Sequence, residues 1–193
     1  LKTNIERFKN HLRLAKHFNT RYVGTETGSY LDDPWDYHPR NHLEESYCEV
    51  REVVRDLVRC AEKHDAVVLI EGAYNHLIYE PKLLNRLVRE INSDNLRVTI
   101  DLYNYLNTEN YLQQREIFDE SISLLKDKIS VFHLKDFIYD NGKLVQVGLG
   151  QGLMDYPYYL EQMKNLPDAV MIMEGIQGED IASSVKYLKK IGG

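Results

Sequence analysis

Ala66-Val67-Val68-Leu69-Ile70-Glu71 is an unbroken apolar run closed by a carboxylate. A run of that length predicts a strand buried on both faces, the strand type of a parallel sheet. The flanks agree. Upstream, Leu43, Tyr47, Val50, Val54, Leu57 and Ala61 recur three and four residues apart, which predicts one long helix over about 42–64. Downstream, Pro81 stands where a first helical turn tolerates it, and Leu84, Leu87, Val88 and Ile91 form the next buried stripe.

Working outward, the same alternation repeats. Thr3 or Asn4 caps a first helix with Ile5, Phe8, Leu12 and Ala15 inward. Strands are predicted at 21–26, 96–101, 129–133, 144–147 and 169–174. Helices follow at about 108–126, after the Asp155 cap with Pro157 in the first turn, and at about 179–191. Gly28 to Asn41, with Asp32, Asp33, Pro34 and Pro39, reads as a long loop, and Asp140-Asn141-Gly142 as a turn.

Strands alternating with amphipathic helices mean βαβ units on a parallel sheet. Strand ends at 26, 71, 101, 133, 149 and 174 make six units of about 32 residues in a chain of 193. A complete barrel runs to about 250 residues, roughly 31 per unit. The expected fold is therefore an α/β (β/α)8 TIM barrel with about six of eight units present. An open doubly wound sheet is the competing architecture. No repeat, linker or low-complexity stretch divides the chain, so residues 1–193 read as one domain. The first residue is Leu1, not Met, and the natural N-terminus is expected upstream of it.

Composition narrows the function classes. The chain is 43% apolar and carries a formal charge of −6. A full core fits that composition, and the acidic balance weighs against a nucleic-acid partner. No apolar run is long enough to span a membrane. Cys48 and Cys60 lie on the long predicted helix, about 18 Å apart along its axis, too far to bridge. Reduced thiols point to a cytoplasmic protein.

Four strands read as buried end in residues of metal-ligand type: Glu71, Asp101, His133 and Glu174. In a parallel barrel every strand C-terminus opens on one mouth, so four positions far apart in sequence would converge. Three carboxylates and an imidazole suit a divalent cation of intermediate hardness. A turn-forming role for Asp101 is the competing reading.

The segment Val131-Phe132-His133-Leu134-Lys135-Asp136 resembles the HLKD-type stretch of the sugar phosphate isomerase/epimerase superfamily, the xylose-isomerase-like TIM barrels. The strand ending in Glu71, Asp101-x-x-Asn104, the Gly148-to-Gly152 loop before Asp155-Tyr156 and the strand ending in Glu174 follow in the family's order. The resemblance starts near the family's third strand, so the first two strands and the helix between them are expected to be missing. It implies one divalent metal (Mn, Mg, Co or Zn) on Glu71, Asp101, His133 and Glu174. It also implies Glu71 and Glu174 as an acid/base pair acting on an enediolate of a sugar or sugar phosphate. The chain departs from some family epimerases at Asn104, where they carry His, and at Tyr139, where they carry Arg. The substrate stays open.

Lesser candidates carry two readings each. Glu26 contacts a substrate hydroxyl or is a solvated loop carboxylate. Asn75 and His76 hold substrate or orient ligands, although a loop histidine in water is the commoner case for His76. Lys135 meets a phosphate or hydroxyl, or is a surface lysine. Asp136 orients a ligand or caps a loop. Tyr30, Trp35 and Tyr37 stack on a sugar or pack on a neighbouring subunit of a homo-oligomer. Gly148 to Gly152 fails the dinucleotide pattern at Leu153 and reads as a tight turn. The leading function is a metal-dependent isomerase or epimerase. The alternatives are a polyol dehydratase on the same layout, an apurinic-endonuclease-like repair enzyme, and a non-catalytic sugar-binding barrel.

Overall fold

The computed structural model describes residues 1–33 and 35–192; Pro34, one of the turn formers, lies outside them, as does Gly193. The chain divides into two compact units, Leu1–Thr99 and Ile100–Gly193.

The first unit contains α1 (Lys2–Leu14), β1 (Tyr22–Glu26), α2 (Glu44–Lys63), β2 (Val67–Glu71) and α3 (Pro81–Ile91), and most of β3 (Leu96–Asp101). A short 3-10 turn, Pro39–His42, leads into α2, so the helix starts two residues later than its apolar spacing suggests. All five residues of β2 are buried. β2 pairs in parallel with β1 and β3, setting Glu26 opposite Glu71 and Glu71 opposite Thr99. The buried stripe of α2 (Tyr47, Val50, Val54, Leu57, Ala61) is the one its spacing predicts. Val50, Val54 and Leu57 contribute roughly 1.5–3 kcal/mol each on burial. Cys48 and Cys60 are free thiols on α2.

The second unit holds the end of β3, α4 (Leu102–Tyr105), α5 (Gln114–Leu125), β4 (Ile129–Leu134), β5 (Asp136–Asp140), β6 (Lys143–Val147), α6 (Tyr156–Met163), β7 (Val170–Met173) and α7 (Glu179–Ile191). β4 and β7 are parallel, with His133 opposite Ile172. Phe118 of α5 packs 4.6 Å from the Tyr159 ring and 6.3 Å from Phe132 of β4, so both flanking helices grip one strand face.

Two strand readings need correction. Leu144–Val147 is not a barrel strand. It pairs antiparallel with β5 around Asn141 and Gly142, at φ 47° and 78°. A two-residue connection with both central φ values positive closes a hairpin, whereas a parallel crossover needs a dozen residues or more. Parallel ladders therefore hold five strands among the described residues, β1, β2 and β3 in one unit and β4 and β7 in the other. Nor is the Met171 strand buried: Val170, Met171 and Ile172 are 55%, 52% and 44% exposed. β7 has one partner strand, β4, among the described residues.

An ion-pair cluster ties α2 to α3. Arg51 Nη1 and Arg86 Nε each lie 2.8 Å from the Glu90 carboxylate, and Arg86 also pairs with Glu44 and covers the Tyr47 ring at 4.0 Å. Hydrogen bonds from Arg51 and then Arg86 hold the Glu90 pKa down to about 2. A depressed folded-state pKa adds stability above the ordinary carboxylate range, and that stability is lost as pH falls towards 2. Glu90→Gln is therefore expected to lower stability at pH 7 by at most about 1 kcal/mol, the group being partly exposed, with the difference vanishing near pH 2. Urea melts of both proteins at the two pH values check this.

Candidate metal centre

Asp101 ends β3 and caps the single turn α4, its Oδ1 accepting from the Asn104 N–H at 3.3 Å. His133 and Lys135 lie two residues apart on the extended chain leaving β4, which aims both side chains to one side. Phe132 and Leu134 take the other side, in the core. Glu174 follows β7, its N–H bonded to the Leu134 carbonyl at 3.2 Å, which places it at the level of β4's end.

These side chains meet within the second unit. One ligand atom each of Asp101, His133 and Glu174 lies within 4.8 Å of the others. His133 Nδ1 is 2.9 Å from Glu174 Oε2 and 3.9 Å from Asp101 Oδ2. Lys135 Nζ stands 2.9 Å from Asp101 Oδ2, 2.9 Å from Glu174 Oε2 and 3.2 Å from Asn104 Oδ1. Asp101 is fully buried and Lys135 nearly so. Burial works against the Lys135 charge, but the Asp101 and Glu174 carboxylates outweigh it and raise the Lys135 pKa. Burial likewise opposes ionisation of Glu174, and the Lys135 ammonium overcomes it and lowers the Glu174 pKa. The donor set is two carboxylates and an imidazole converging at strand ends, with Asp101 buried and His133 and Glu174 partly exposed. That is the chemistry of a site for a borderline divalent cation, so the residues fit one.

The sequence reading took Lys135 more readily as a surface lysine. It is a buried ion-pair partner, because strand alternation turns it to the side His133 occupies. Asp136 is the loop cap. Its fully buried carboxylate accepts the backbone N–H groups of Phe137, Gly150, Gly152 and Met154 at 2.8–3.1 Å. A Cβ on Gly152 would stand 2.3 Å from Asp136 Oδ1, which explains the glycine. Tyr156, missed as a site residue, donates its hydroxyl to the Lys135 carbonyl at 2.7 Å. The quoted Asp155-Tyr156 pair was the only signal for it.

In the first unit, Glu71 ends β2, buried. Glu26 ends β1, half-buried, at the paired position. His76 is not a solvated loop histidine: it is 1% exposed, its ring centroid 4.8 Å from that of Trp35. Asn75 pins the same loop, its Nδ2 donating to the Trp35 carbonyl at 2.6 Å. Trp35 and Tyr37 are held by intrachain ring contacts with His76 and Tyr74 respectively.

The sequence model of the xylose isomerase-like TIM barrel family matches residues 1–191. The chain belongs to that family. No curated protein sequence matches it. The solved xylose isomerase-like TIM barrel protein of Mycobacterium smegmatis, in complex with magnesium, has a TM-score of 0.75 at 14% identity, over 98% of this chain and 67% of that one. A D-tagatose 3-epimerase-like protein scores 0.79 at 21% identity, covering 98% and 68%. The probable 3-DHS dehydratase AsbF of Bacillus anthracis scores 0.74 at 17% identity, covering 98% and 69%. Identities this low carry the fold alone, and the chain spans about two thirds of the length of each. The fold is thus a partial xylose isomerase-like TIM barrel, and the hairpin β5–β6 is an addition to its parallel ladder. No helix among the described residues is long and apolar enough to cross a membrane.

Asp136 frames the ligand-bearing segment. Asp136→Asn replaces two of its acceptor positions with donors facing N–H groups, so about 2–3 kcal/mol of stability is expected to be lost. Amide exchange at Gly150, Gly152 and Met154 should speed up while exchange in α2 stays unchanged.

Proposed function

We propose that this protein is a divalent-metal-dependent isomerase or epimerase of a sugar or sugar phosphate. The observation that carries the reading is the convergence of Asp101, His133 and Glu174 at strand ends of the second unit. The proposal takes residues 1–193 as one barrel domain, adds Glu71 as the fourth ligand, and rests for that residue on the family order of the strand ends. It places the protein in the cytoplasm, on the strength of its two free thiols.

A divalent cation on these ligands would supply positive charge beside a substrate carbonyl and acidify the neighbouring C–H. The chain's own residues then move the proton. Glu174 is kept ionised by Lys135 and can accept a proton at a carboxylate oxygen. Glu71 returns one to the opposite face for epimerisation, and return to the adjacent carbon gives aldose–ketose isomerisation. Lys135 and Asn104 stay within reach of substrate oxygens, and Glu26, Asn75 and His76 are candidate substrate contacts on the family order of the strand ends. The fold of the Bacillus anthracis dehydratase favours a second reading, in which the same base starts the loss of water.

Calorimetric titration with Mn²⁺ is expected to find one site. His133→Ala and Glu174→Gln should each weaken it at least about tenfold. In deuterated water, incubation with a panel of ketoses, aldoses and their phosphates should place deuterium at a carbon next to the carbonyl. Glu71→Gln and Glu174→Gln should each slow that exchange by about 10²–10⁴-fold. A product lighter by one water would select the dehydratase reading, and failure to bind Mn²⁺ together with no exchange in its presence would sink both.

A further inference from the structure

The second unit places an ammonium where a cation between Asp101 and Glu174 would go. Lys135 Nζ is 2.9 Å from one oxygen of each carboxylate, and these are the oxygens that His133 Nδ1 faces at 3.9 and 2.9 Å. A buried lysine placed only for packing would not need its charged end between a fully buried carboxylate and a partly exposed one. Its reach is also constrained. The Tyr156 hydroxyl holds its backbone carbonyl at 2.7 Å, and the carboxylate of Asp136 takes the next peptide N–H, that of Phe137, at 2.8 Å. The backbone at Lys135 is thus fixed, and the side chain is the movable part. Asn104 Oδ1, at 3.2 Å, is an acceptor to which it can turn without leaving the pocket.

We infer that Lys135 is the site's internal cation: it neutralises Asp101 and Glu174 when no metal is bound, competes with the metal for their oxygens, and so sets the metal affinity. This rests on the metal reading above. The physics is charge balance. Two carboxylates out of water repel each other and lose hydration, a cost that a shared ammonium offsets. An incoming divalent cation takes the same oxygens, so part of its binding energy goes into displacing the ammonium and into standing near it. The displaced ammonium turns to Asn104 Oδ1, which already lies 3.2 Å from it. The arrangement keeps metal-free protein folded and makes metal binding exchangeable, where an all-carboxylate pocket would bind metal tightly but be strained without it.

The test pairs metal affinity with metal-free stability. Lys135→Met, Lys135→Arg and the unmutated chain are stripped with chelator and titrated calorimetrically with Mn²⁺ at pH 7.5; metal-free melting temperatures are recorded in parallel. Lys135→Met is expected to bind Mn²⁺ about tenfold tighter and to melt at least about 5 °C lower when metal-free. Added Mn²⁺ should raise its melting temperature by more than it raises that of the unmutated chain. Lys135→Arg, which keeps the charge, should melt close to the unmutated chain and gain no affinity. Mn²⁺ binding by the unmutated chain with equal or weaker binding by Lys135→Met would overturn the inference and leave the metal reading standing. No binding by either protein would overturn the metal reading and the inference with it. Should Lys135→Met fail to fold, Lys135→Gln is read in the same way.

Discussion

Asp101 and Glu174 share one ammonium nitrogen, and much of the second unit is arranged so that they can. Asp101 is fully buried and Glu174 only partly exposed, so the two carboxylates repel each other and lose hydration unless a cation stands between them. Lys135 reaches that position because it follows His133 by two residues on an extended segment. The segment keeps its course because Asp136 gathers four peptide N–H groups from the residues around it. Acidic pair, lysine and loop anchor are therefore one connected device, assembled from the ends of β3, β4 and β7 and the loop before α6.

That device explains several local choices at once. Gly152 is a glycine because a side chain would collide with Asp136. Gly150 takes φ 82° so that its N–H can face the same carboxylate. Tyr156 sits in the first turn of α6, and its ring is buried so that its hydroxyl meets the Lys135 carbonyl. Burial pushes that phenol's pKa well up, which keeps it a donor. None of these residues carries chemistry itself. They set where the charged groups stand.

In the first unit, β2 is buried along its whole length and carries Glu71 at its end, and the neighbouring ladder places Glu26 and Thr99 beside it. The loops around it are stiffened by aromatic contacts: Trp35 on His76 and His42 stacked on Tyr79 at 3.8 Å. A rigid loop over a strand end is what a small-molecule site requires, since disorder there would have to be lost on binding.

The parallel βα framework and the four strand-end positions of metal-ligand type are legible in the sequence alone. An apolar run closed by a polar residue favours a strand, and its last side chain then stands at the sheet's end. The glycine cluster and the Asp155 cap were legible for the same local reason. Tertiary structure alone decided the rest. Leu144–Val147 alternates like a barrel strand, yet its partner is set by the two-residue turn before it and not by its own composition. The Met171 strand looks buried by hydrophobicity, but burial depends on what covers it, and β4 is its only partner among the described residues. Lys135 and His76 read as surface residues because polarity is a property of the residue, whereas burial of a charge depends on a counter-charge arriving from elsewhere in the chain. Asp101 and Glu174 lie 34 residues before and 39 after Lys135, and only the folded chain brings them to it.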